Sequence, residues 1–154
     1  MANIHISDDE PDMRHLVAFL VAEMGHEVTV SIDGRDAIEA MLVRPPDLLI
    51  LDLMMPDMDG YAVLGEMHEY QILDSTRVLV LSARSSEDDR QLAFELGADE
   101  YVTKPWESGE LKAVITLLLE RSKEELRLGR EDLKDKARLL AQLETIIEQG
   151  QRTA

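Results

Sequence analysis

The chain has 154 residues, 45% of them hydrophobic and 31% charged, a balance that suits one globular domain with an appendage and excludes a disordered chain. It contains no cysteine, which rules out disulfides and thiolate metal sites, and its formal net charge of -16 would repel a nucleic-acid backbone. No apolar run approaches membrane-spanning length and the first residues lack a basic-then-apolar signal layout, so no membrane association is expected and the cytoplasm is the expected location.

In chain order, short apolar stretches alternate with amphipathic ones. Strands are predicted near residues 3–7, 27–32, 47–51, 77–82 and 99–103, and helices near 12–24, 34–43, 60–69, 86–96 and from 108 onward. Gly25, Gly34, Pro45-Pro46, Gly60 and Gly97 fall at the joints, as turn residues should. Five such β-α units imply an α/β fold: a five-stranded, doubly wound parallel sheet covered by helices on both faces and connected by right-handed crossovers. Ligands in such sheets bind beyond the carboxyl ends of the strands.

Charged residues stand at several of those ends. The apolar run Leu48 to Leu51 drives straight into Asp52 and then into the turn Met54-Met55-Pro56-Asp57-Met58-Asp59-Gly60. A carboxylate at the end of a buried strand is costly unless something binds it or it does chemistry there. Asp8 and Asp9 follow the first apolar stretch, Ser82-Ala83 closes the fourth, and Lys104-Pro105 follows the fifth. Taken singly, Asp8-Asp9 reads equally well as a helix-capping pair and Lys104 as a surface lysine, but neither reading accounts for Asp52.

In this order, and together with Leu96-Gly-Ala-Asp-Glu-Tyr-Val-Thr-Lys-Pro105, the segments resemble the receiver domain of two-component response regulators. The likeness runs in register from about Ile4 to about Leu118. The resemblance implies a flavodoxin-like strand order 2-1-3-4-5, with Asp8, Asp9 and Asp52 meeting between strands 1 and 3. It also implies that Asp52 is the phosphoacceptor and that the cofactor is Mg2+, an ion suited to oxygen ligands. Asp9 and Asp52 would be direct ligands, Asp8 would act largely through water, and the backbone carbonyl of Met54 would supply a further oxygen. Lys104 would offset phosphoryl charge, with Pro105 shaping the turn behind it in a bond that is commonly cis in the family. Ser82 and Ala83 would meet the phosphoryl group, and Tyr101 would turn inward as Ser82 moves. The implied phosphoryl donor is a sensor histidine kinase or a phosphotransfer protein. The chain is then not an enzyme beyond its own phosphorylation and slow dephosphorylation.

The carboxy-terminal part departs from a bare receiver, so the expected division is a receiver at 1–121 and a helical extension at 122–154. Residues 1–106 hold 7 Lys+Arg against 22 Asp+Glu, whereas residues 107–154 hold 9 against 10. Leu119, Leu126, Leu133, Leu140 and Ile147 recur every 7 residues, the spacing of a coiled-coil seam. If the fifth helix ran unbroken from about Ser108 to about Glu148, it would have no core to lie on, and pairing with a second copy as a parallel homodimer is expected. The other seam position is mostly polar (Lys123, Arg130, Ala137, Glu144), and Gly129 costs about 1 kcal/mol in mid-helix. Two shorter helices broken near Gly129, the second folded back, compete with that reading. Gly109 and Val114 stand where DNA-binding members of the family often carry basic interface residues, which favours an apolar contact.

The expected whole is the amino-terminal part of a longer regulator whose effector lies outside this sequence. A single-domain regulator with a partner-binding helix is the alternative. A receiver-like scaffold without phosphorylation fits poorly with the full set Asp8, Asp9, Asp52, Ser82 and Lys104. A phosphatase with an aspartyl nucleophile would need a second acid two residues later, where Met54 stands.

Overall fold

The computed structural model describes residues 1–153, the side chains of 133, 134 and 151–153 excepted. Five strands, β1 (Asn3–Ser7), β2 (Glu27–Ser31), β3 (Leu48–Leu51), β4 (Arg77–Ser82) and β5 (Glu100–Thr103), alternate with helices α1 (Pro11–Glu23), α2 (Gly34–Val43), α3 (Gly60–Glu69), α4 (Glu87–Glu95) and α5 (Ser108–Glu120). A further helix, α6 (Lys123–Thr153), follows. All strand pairs are parallel and the sheet order is β2-β1-β3-β4-β5, as the resemblance implied. One 3-10 turn, Ile72–Asp74, was not anticipated.

The inner strands β3 and β4 are largely apolar runs because helices cover both of their faces, and the inner strand β1 is as fully buried although Asn3, His5 and Ser7 alternate with its isoleucines. Leu49, Leu51, Val78 and Val80 pack on one face with Ala37, Met41, Val63, Leu64 and Met67 from α2 and α3. Each of these side chains is fully buried, a burial typically worth about 1.5–3 kcal/mol for a large aliphatic residue. His5 and Ser7 are polar residues on this layer, and His5 is the titratable one. It is 2% exposed, paired laterally with Leu49 and Thr29, and its Nδ1 and Nε2 lie 2.7 Å from Thr29 Oγ1 and 3.0 Å from Ser31 Oγ.

The chain divides into two units, Met1–Lys123 and the remainder from Glu124. The fifth helix is not continuous into the tail. It ends at Glu120, and Arg121 is extended at φ -109, ψ 144. The break therefore lies before α6 rather than near Gly129, which is inside α6. Three local features explain it. Ser122-Lys-Glu-Glu125 has the Ser-x-x-Glu spacing of a capping box, a signal for a new helix start. Arg77 Nε donates to the Arg121 carbonyl at 2.7 Å. Lys123 Nζ meets the fully buried Asp99 Oδ2 at 2.6 Å. The heptad series is interrupted accordingly: Leu119 lies on α5, while Leu126, Leu140 and Ile147 lie on α6; the Leu133 side chain lies outside the described residues.

Burial lowers the His5 pKa from 6.5 to about 4, so the folded state holds this ring neutral while the unfolded chain takes a proton between those values. Its contribution is complete above pH 6.5 and is lost as pH falls towards 4, an effect on the order of 3 kcal/mol. His5→Gln should remove that part of the pH dependence, measured as the difference in denaturant-unfolding free energy between wild type and variant from pH 7.5 to 4.

Candidate functional site

The sheet ladder continues one residue beyond the strands. Asp8 N–H donates to the Ser31 carbonyl at 3.3 Å, Asp52 N–H to the Ser7 carbonyl at 3.0 Å, and Lys104 N–H to the Ser82 carbonyl at 2.8 Å. The backbone of each residue is thus fixed by its neighbour strand, while its side chain emerges at the carboxyl edge. Gly60 lets α3 begin tightly against this edge. A Cβ there would lie 2.6 Å from the Asp52 carbonyl oxygen and 2.7 Å from Leu53 Cα.

Asp8 and Asp52 are 4% and 6% exposed, and Asp9 is exposed. One carboxylate oxygen from each of the three lies within 4.8 Å of the others. Lys104 Nζ bridges the two buried acids, 3.2 Å from Asp8 Oδ2 and 3.5 Å from Asp52 Oδ2. Their other oxygens accept backbone N–H groups, Glu10 on Asp8 at 2.9 Å and Met54 on Asp52 at 3.1 Å. Asp8 thus ties down the turn before α1, but the N-cap position is Glu10, which makes no side-chain cap.

One ammonium does not balance three carboxylates. Burial pushes the Asp52 pKa up from 3.8 to about 6, with Asp8 and Asp9 pushing the same way and the Met54 N–H and Lys104 opposing. A cluster that is all oxygen, short of positive charge and open on the Asp9 side suits a hard divalent cation. The residues present therefore fit Mg2+, and Asp52 is left mostly ionised at neutral pH.

The remaining expected residues gather beside this cluster. Ser82 is fully buried, with its Oγ accepting from Arg84 N–H at 3.2 Å; Ala83 is exposed next to it. The Lys104–Pro105 bond is cis. Tyr101 is only 4% exposed and already faces inward, its hydroxyl donating to the Arg84 carbonyl at 2.7 Å. Sequence reasoning missed the side chains that hold this loop. Asp89 accepts from Tyr61 Oη at 2.6 Å and pairs with Arg84 Nη1 at 3.3 Å, and only the Ser86-x-x-Asp89 spacing hinted at a role, as a helix cap.

Because the charged Asp52 is buried at a cost, Asp52→Asn should stabilise the protein at pH 7.5 in the presence of a chelator. The raised pKa means that the penalty is present above about pH 6 and is relieved as pH falls from 6 towards 3.8. A rise in melting temperature of roughly 5 °C is expected. Scanning calorimetry checks it, and magnesium should raise the wild type more than the variant.

The family model for the response regulator receiver domain matches residues 4–116. The chain is 34% identical over 119 residues to the alkaline phosphatase synthesis transcriptional regulatory protein PhoP of Bacillus subtilis, covering 77% of this chain and 49% of that protein. It thus spans about half the length of that curated relative. Among solved structures, the Francisella response regulator 1452 receiver domain is 27% identical with a TM-score of 0.73, covering 79% of this chain and 98% of that one. Chemotaxis protein CheY4 of Vibrio cholerae is 25% identical with a TM-score of 0.72, covering 77% and 98%.

Proposed function

The chain belongs to the response regulator receiver family, and from that premise we propose that Asp52 accepts a phosphoryl group from a histidine kinase or phosphotransfer protein. The observation that carries this is the buried Asp52 carboxylate beside Lys104 Nζ at 3.5 Å. As the phosphorus of a phosphohistidine is attacked by an Asp52 oxygen, a P–O bond forms. The P–N bond breaks, and its electron pair stays on the imidazole nitrogen. Lys104 lies where its ammonium offsets charge on the equatorial oxygens, so the chain's contribution is mainly positioning and electrostatics. Asp9, Asp52 and the Met54 carbonyl would hold Mg2+, with Asp8 acting through water; when bound, the ion supplies further positive charge to the phosphoryl oxygens. Ser82 and the adjacent Ala83 would receive the phosphoryl oxygens, and Tyr101 reports the switch on the surface of α4, β5 and α5. Incubation with acetyl phosphate and magnesium should add a single phosphate by intact mass spectrometry. Asp52→Asn should take none, and unchanged labelling of the variant would overturn the assignment.

The extension from residue 122 is proposed as a dimerising element that passes receiver state to an effector outside this sequence. Considered by itself, α6 is a 31-residue helix, about 46 Å long. Ion pairs Arg127–Glu131, Asp132–Lys136 and Asp135–Arg138 run along it, while Leu139, Leu140, Leu143, Ile146 and Ile147 are all more than half exposed. A lone helix of this kind is marginal in water, and a parallel pair of α6 helices would bury that stripe. Leu140→Glu with Ile147→Glu should convert a dimer into a monomer that still accepts phosphate, as read by multi-angle light scattering. A wild type that stays monomeric at high concentration, with and without beryllofluoride, would exclude the coiled coil.

A further inference from the structure

The acceptor loop and the inward tyrosine are joined by side chains that neither the phosphoryl chemistry nor the sequence motifs require. Tyr61 is in the first turn of α3, directly after Gly60, where the loop that begins at Asp52 ends. Its hydroxyl crosses to the first turn of α4 and donates to Asp89 Oδ1 at 2.6 Å. The same carboxylate pairs with Arg84 Nη1 at 3.3 Å and accepts the Ser86 hydroxyl at 2.6 Å, while Asp89 N–H donates back to Ser86 Oγ at 3.1 Å. Arg84 is therefore held at three points: its side chain by Asp89, its N–H by Ser82 Oγ at 3.2 Å, and its carbonyl by the Tyr101 hydroxyl at 2.7 Å. Arg90, one residue beyond Asp89, lies over the Tyr101 ring at 5.1 Å from its centroid.

That arrangement fixes where the Tyr101 hydroxyl finds its acceptor. The Arg84 carbonyl belongs to the loop between β4 and α4, and it accepts the Tyr101 hydroxyl rather than a sheet or helix N–H. Its position is set by what grips it from outside, and Asp89 is the hub of that grip. Asp89 is in turn anchored to α3 by Tyr61. A phenolic hydroxyl donating to a carboxylate is a charge-assisted bond, stronger than a neutral pair. The Tyr61 pKa is raised to about 12, so the hydroxyl remains a donor throughout the physiological range.

We infer that Tyr61 and Asp89 are positioning residues for the switch: by clamping the β4–α4 loop to α3 they hold the Arg84 carbonyl where Tyr101 is captured inward. By linkage, a clamp that favours the inward state also favours whatever binds that state better. The apparent dissociation constant for a phosphoryl group is the intrinsic one divided by the population of the competent state, so loosening the clamp weakens binding. The part of this inference that concerns affinity rests on Asp52 being the phosphoacceptor; the part that concerns Tyr101 does not.

Tyr61→Phe removes only the hydroxyl and tests both parts. The chain has 3 tyrosines, so 3-fluorotyrosine labelling gives resolvable 19F signals for Tyr61, Tyr70 and Tyr101, assigned with Tyr70→Phe. In the wild type without ligand, a soluble paramagnetic agent should broaden the half-exposed Tyr70 and spare Tyr101. In Tyr61→Phe the Tyr101 signal should become sensitive to the agent. An unchanged Tyr101 signal overturns the inference whatever happens at Asp52. Beryllofluoride with magnesium is then titrated while the fluorescence of Trp106, the single tryptophan, is followed. Tyr61→Phe should raise the half-saturation point about three- to tenfold, and the same change in a Tyr101→Phe background should have little further effect. Equal losses in both backgrounds would show that Tyr61 does not act through Tyr101. A wild type that does not respond to beryllofluoride would instead count against the phosphoacceptor reading, leaving the 19F result to stand by itself.

Discussion

Two buried carboxylates sharing one ammonium form the interaction on which the site depends. Asp8 and Asp52 sit at the ends of adjacent strands, and Lys104 reaches both from the far end of β5. Acids this buried are tolerated only when paired or hydrogen-bonded, and each here also accepts a backbone N–H. The compensation is incomplete by design of the residue set, since Asp9 adds a third negative group. Burial first, and the charges of Asp8 and Asp9 after it, raise the Asp52 pKa, and an all-oxygen edge left short of positive charge suits a hard divalent cation.

The strands that carry these side chains also border the loop between β4 and α4. β4 ends at Ser82 and β5 just before Lys104; the residues of β4 from Val78 to Ser82 and the middle pair of β5, Tyr101 and Val102, are buried and have little freedom to shift. The adaptable parts are the connections, above all the loop carrying Arg84. Its carbonyl, N–H and guanidinium are each bound to a different element. A loop held from several sides has few alternative arrangements, which is the property a two-state element needs.

At the opposite end of the same two strands, Arg77 at the start of β4 and Asp99 just before β5 engage Arg121 and Lys123. The end of the fifth helix is thereby specified by side chains from the sheet rather than by the helix alone. Asp99 also accepts the Val78 N–H at 2.8 Å, so the carboxylate that meets Lys123 is part of the β4–β5 framework. A charge buried this deeply is expensive to leave unpaired, and the turn at 121–122 is accordingly well fixed.

The strand runs, the glycine and proline joints and the acidic, hydroxyl and lysine residues at strand ends were legible in the sequence because each is written in a local period or in short spacing. Asp52 stood out since an ionisable group at the end of an apolar strand conflicts with its surroundings, and such conflicts mark sites. The heptad leucines were equally visible, yet periodicity is blind to a two-residue interruption that preserves spacing. The break before α6 depends on Arg77 and Asp99, which are 44 and 24 residues away from their partners, and only tertiary structure brings them there. The same holds for Tyr61 and Asp89, 28 residues apart. Along the chain only the Ser86-x-x-Asp89 capping spacing marks either of them, and nothing there pairs the two; they meet because α3 and α4 start at the same edge of the sheet.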